Sequence, residues 1–257
     1  MHVCRNWRHI IYASQQVLHL RLFCTHGSPV LKALDCWPGL PIVVQYGGAP
    51  SLRPPSLEDE DKVMAALKHS DRVHSLSLTV TSSLREKLFA IERPFSELED
   101  LVLLSREKVP LTLPSAFQWG LRLRTLHLTG AAIPALPELL RPSTGLVDLQ
   151  LHNIPQAGYF SPVAFVNTLS GMAELRLLSL HFLSFSLQGD LDSPPRFRER
   201  VVLPTLTCLK YRGTTMYLDS FVARVDAPRL RDIDIIFHCR PKMHQENPEL
   251  LTYYNLQ

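Results

Sequence analysis

Three histidines stand in or directly after a recurring phrase of this chain. His127 lies inside Leu123-x-x-Leu126-x-Leu128, His152 directly follows Leu146-x-x-Leu149-x-Leu151, and His181 directly follows Leu175-x-x-Leu178-x-Leu180. Imidazoles are zinc ligands, and strands about 4.8 Å apart bring such side chains within ligand reach of one another. Asp148 or Gln150 would have to complete the shell. Parallel strands set side by side, however, aim their rings the same way instead of at a common point. The pattern therefore predicts a hydrogen-bonding polar surface, with no metal and no cofactor.

Covalent chemistry has no better foothold. The sequence contains no G-x-S-x-G elbow, no Walker-type G-K-[ST], no H-E-x-x-H and no G-x-G-x-x-G, and its 11 glycines leave little for phosphate-cradling loops. Without a nucleophile turn, scattered Ser, His and Asp residues do not make a triad. The expectation is a binding protein and not an enzyme.

The elements that must position these residues are announced by the leucines. With Leu98-x-x-Leu101-x-Leu103 added, the middle leucines of the four strict phrases are 25, 23 and 29 residues apart. A period of about two dozen residues marks a leucine-rich repeat, in which one unit cannot bury its own apolar face and a stack of units can. Looser copies begin at Val17, Trp37, Val73, Leu206 and Leu230. The expected fold class is thus an α/β leucine-rich-repeat solenoid of eight or nine irregular repeats, with a parallel β-sheet on its concave face and helices and loops on its convex face.

Helical spacing between the phrases predicts the outer wall, over Asp59 to His69, Ser83 to Ile91 and Tyr217 to Val225. Another helix is capped by Ser161, opens on Pro162 and stops near Gly171, while Pro137 limits Pro134 to Leu140 to a single turn. Gly47 to Pro55 and Gln188 to Arg200 read as surface insertions. Regular repeats carry an asparagine three residues after the last leucine. Here those places hold Thr81, Arg106, Ala131, Ile154, Leu183 and Thr214, which predicts uneven curvature.

A chain of 257 residues with 46% hydrophobic content is ample for a globular core, and a net charge of +3 is too small to indicate a nucleic-acid partner. No apolar run approaches the roughly 18 residues needed to cross a bilayer, and the N-terminus lacks a signal-peptide plan. The five cysteines form no C-x-x-C pair. These features predict an intracellular protein, cytoplasmic or nuclear, with no membrane association.

Side chains alternate along a strand, so residues flanking the inward leucines face outward. That register places Asp100, Thr125, His127, Asp148, Gln150, His152, Ser179, His181, Lys210, Arg212, Asp232 and Asp234 on the concave face as candidate partner-binding residues. Their mixed charge suits a protein partner better than a polyanion.

The opening Val3-Cys4-Arg5-Asn6-Trp7-Arg8, leading within ten residues to Val17-Leu18-His19-Leu20, resembles the end of an F-box that runs into leucine-rich repeats, as in fungal F-box proteins with degenerate repeats. The resemblance implies a substrate adaptor of a cullin-RING ubiquitin ligase, with Val3, Trp7 and Arg8 in the Skp contact and a protein substrate on the repeats. The first half of the box is missing before Met1, which implies a truncated or degenerate member. The division expected is an F-box remnant over 1–16, repeats over 17–237, and a C-terminal tail or cap over 238–257. Read without the family, Trp7 sits with Val3, Ile10 and Ile11 on a basic amphipathic turn that either caps the open end of the solenoid or docks a partner.

Overall fold

The computed structural model describes residues 18–37, 39–47, 56–105, 122–133, 135–183 and 200–237, together with Ile10, Ala13 and Phe117. Val3, Trp7, Arg8 and the tail from 238 lie outside the described residues, as do 48–55 and 188–199 of the two insertions.

Along the chain run β1 (Leu20–Phe23), α1 (Val30–Cys36), β2 (Ile42–Tyr46), α2 (Leu57–Leu67), β3 (Val73–Val80), α3 (Ser82–Phe89), β4 (Asp100–Ser105) and β5 (Thr125–Thr129). Then follow α4 (Leu136–Leu140), β6 (Asp148–Ile154), α5 (Pro162–Leu169), β7 (Leu177–Phe182), β8 (Val201–Val202), β9 (Cys208–Gly213), α6 (Thr215–Val222), β10 (Val225–Asp226) and β11 (Asp232–Phe237). Nine strands form one parallel sheet in the order β1-β2-β3-β4-β5-β6-β7-β9-β11, so neighbours in the sheet follow one another in chain order. The two short strands β8 and β10 pair separately, also in parallel.

The leucines explain this register. Leu101, Leu126, Leu149, Leu178 and Leu209 pair in one row, and Leu103, Leu128, Leu151, Leu180 and Tyr211 in the next. Slipping any strand by one residue would turn its leucines to water. The first leucine of each phrase lies before its strand and is also buried, as at Leu98, Leu123, Leu146, Leu175 and Leu206. Val63, Leu84, Phe165, Leu169 and Phe221 from the helices join the same apolar cluster, so the helices cover the leucine side of the sheet. Full burial of each leucine stabilises by about 2 kcal/mol.

Ahead of the strands runs a backbone ladder. The amide of Glu99 donates to His74 O, Arg124 to Glu99 O, Val147 to Arg124 O, Arg176 to Val147 O, Thr207 to Arg176 O and Arg231 to Thr207 O, at 2.7 to 3.0 Å. These bonds join successive strand starts without needing any particular side chain. Two of the asparagine-less places have another use: Thr81 and Thr214 are the N-caps of α3 and α6, accepting from the amides of Leu84 and Tyr217 at 3.1 and 3.4 Å. Ser161 caps α5 in the expected way, accepting from Ala164 N at 3.2 Å with Pro162 at the first helical position.

Several boundaries differ from expectation. The phrase opening at Trp37 does not mark the strand, because Val44 and Tyr46, not Leu40 and Ile42, extend the two leucine rows. Val225 belongs to β10 instead of continuing α6. Helix α1, with Val30 and Leu34 buried, was not expected at all. At the end of β2 the chain turns through Gly47 at φ 74°, where an added Cβ would come within 2.7 Å of Thr79, whose hydroxyl donates to Gly47 O. On the last strand, Ile233, Ile235, Ile236 and Phe237 are all exposed, since no described residue packs beyond β11.

Candidate functional site

The face opposite the helices is built from the alternate residues of the strands, and pairing sorts them into three rows. Asp100, Thr125, Asp148, Leu177, Cys208 and Asp232 line the strand starts. Val102, His127, Gln150, Ser179, Lys210 and Asp234 form the middle row. Towards the strand ends come Leu104, Thr129 and His152, then His181, Arg212 and Ile236. Every candidate residue of the strands therefore falls on this face, in the alternation read from the leucines.

The histidines separate into two groups. His152 and His181 stack face to face, with ring centroids 4.2 Å apart and planes inclined by 12°. Between them sits the Ser179 hydroxyl, 2.9 Å from His152 Nε2 and 3.4 Å from His181 Nε2. A hydroxyl has one proton and two lone pairs, so it can donate to at most one of the two rings and must accept from any ring whose Nε2 carries a proton. Burial, helped by the nearby His181, His127 and Lys210, holds the His152 imidazole down at about 4. The pair is neutral at pH 7 on the His152 side.

His127 belongs to the second group. Its Nε2 lies 3.2 Å from Asp148 Oδ2 but off the line along which a ring N–H would donate, so the contact is not a formed hydrogen bond. Gln150 Nε2 donates to both Asp148 oxygens, at 3.1 and 3.2 Å. One strand further, Cys208 Sγ donates to Asp232 Oδ2 at 3.4 Å, and burial followed by this bond pushes the thiol up. Asp100, Lys210, Arg212 and Asp234 make no hydrogen bond or ion pair with another described side chain, and Arg212 is exposed.

This arrangement does not gather the three imidazoles about a point. Two are stacked in parallel and the third is turned to Asp148; among the described residues no group of three or more His, Cys, Asp or Glu is placed to hold a metal. The Ser179–His152 contact has the distance of a nucleophile and base, but Ser179 is 1% exposed beneath the rings and lies inside a strand, not on a nucleophile turn. Ser179 thus orients the rings from below instead of presenting its hydroxyl to a partner. Its place between two histidines in adjacent strands was the available signal.

A second polar centre escaped the sequence altogether. Glu60 on α2 is 3% exposed, yet its carboxylate accepts from Thr81 Oγ1 at 2.6 Å and Ser83 Oγ at 2.7 Å and pairs with Lys87 at 3.3 Å. This ties α2 to α3 and is structural. Cys24, Cys36 and Cys208 are free thiols, and burial pushes Cys24 up to about 12. No described helix is long and apolar enough to cross a membrane. No protein-family model matches the chain, and no curated protein matches it.

Proposed function

We propose that this chain is an irregular leucine-rich-repeat solenoid that holds a protein partner on its helix-free sheet face, and that it is a substrate adaptor of the F-box kind or a relative that keeps the recognition face. The observation that carries the reading is the face itself: nine parallel strands in chain order, lined with half-exposed residues of both charges. Mixed charge on a broad, rigid surface favours a folded or extended polypeptide over a polyanion. The ligase connection rests on the resemblance at Val3, Cys4, Trp7 and Arg8 alone.

Mixing the purified chain with purified Skp subunit separates the two parts of the proposal. Co-elution as a complex supports the adaptor role. Separate elution of a folded chain removes the ubiquitin-ligase link and leaves a repeat scaffold. Charge reversal at Lys210, Arg212, Asp232 and Asp234 tests the face, because unchanged affinity for a bound partner would move recognition elsewhere.

A further inference from the structure

The charges on the helix-free face are sorted by position along the strands. Asp100, Asp148 and Asp232 occupy the strand starts, and no basic residue shares their row on β4 to β11. His152, His181 and Arg212 occupy the ends of the consecutive strands β6, β7 and β9, and that row holds no acid. Four residues of extended chain separate Asp148 from His152 along β6, or about 13 Å of backbone. Asp234 lies in the middle row, where it pairs in register with Lys210.

We propose that the His152–His181–Arg212 row binds an acidic, carboxylate-bearing peptide segment of the protein partner. The inference rests on the sheet-face reading above. Arg212 is exposed and makes no hydrogen bond or ion pair with a side chain among the described residues, so its guanidinium can take a carboxylate without breaking a pair described there. The stacked histidines add a second feature. The pair through Ser179 accommodates one extra proton, because a protonated ring can donate to the hydroxyl; a second is opposed by the repulsion of two imidazolium rings stacked 4.2 Å apart. Burial first, and then His181, His127 and Lys210, oppose a positive charge at His152, while Asp148 favours it; a carboxylate above the row offsets that opposition. Peptide binding therefore takes up one proton, and affinity rises as pH falls, by at most tenfold per pH unit.

The test uses the full chain and fluorescent octaglutamate and octalysine peptides, with affinity read by anisotropy at pH 7.5 and 5.5. Glutamate side chains stay largely ionised at both. The expected result is octaglutamate binding that strengthens at pH 5.5, falls at least tenfold in R212E and more mildly in R212Q, and survives R231E, a matched charge change at the opposite end of the strands. H152Q and H181Q should flatten the pH dependence. Octaglutamate binding equally sensitive to R231E, or preferential octalysine binding, overturns the proposal. If octalysine binding then depends on Asp148 or Asp232, the sheet face remains the recognition surface; if neither peptide responds to any variant of the face, the broader reading fails too.

Discussion

At the scale of single residues, two polar groups carry consequences out of proportion to their size. His152 is neutral when folded, with an imidazole held at about 4 against the usual 6.5. Between those values the unfolded chain binds more protons than the folded one, so stability rises with pH across that window and falls on acidification through it. Urea midpoints measured from pH 4 to pH 8 should therefore drop below pH 6.5, and His152→Gln should reduce the drop. Glu60 is the other case. Its removal in Glu60→Ala leaves Thr81 and Ser83 without their acceptor and Lys87 without one of its two carboxylates, Asp61 remaining, at a cost of about 1–3 kcal/mol. Denaturant unfolding of the variant against the parent checks it, and a change within error would mean that water replaces the carboxylate. Neither effect was legible beforehand. A histidine just outside a leucine phrase predicts an outward side chain, but stacking depends on the neighbouring strand, and Glu60 looks like any helical surface acid until α3 lies against it.

Elements were read with more success where one local cause dominates. Strands β3 to β7 and β9 follow the leucine phrases because burial of alternate residues fixes face and register together, and α5 follows Ser161 and Pro162 because a cap and a proline act within one turn. Failures came where no such cause operates. Helix α1 is short, has no side-chain cap and buries only Val30 and Leu34, which leaves too little periodicity to see. The β8–β10 pair joins residues more than twenty apart through two-residue strands, a length at which propensity carries no information. The same division sets what substitutions should do. Leu149→Ala, at a fully buried position in the middle of the sheet, should cost about 2–5 kcal/mol, whereas Ser161→Ala, which removes only the cap of α5, should cost about 1 kcal/mol. Thermal or chemical denaturation ranks the two, and equal losses would show that the α5 cap does more than satisfy one amide.

For the molecule as a whole, the decisive fact is that strand order equals chain order. β1 and β11 each have one strand neighbour, while β5 has one on either side and lies four strands in from each end. Hydrogen exchange should accordingly be fastest in β1 and β11 and slowest around β4 to β7, with protection graded along the sheet. Uniform protection from end to end would mean that the sheet opens as one cooperative unit. The backbone ladder from His74 to Arg231 adds a mechanical corollary. Because each strand of the sheet is hydrogen-bonded only to the strands beside it, tension applied to the two termini should detach the sheet strand by strand, yielding through a long, shallow stretch instead of snapping at one high force.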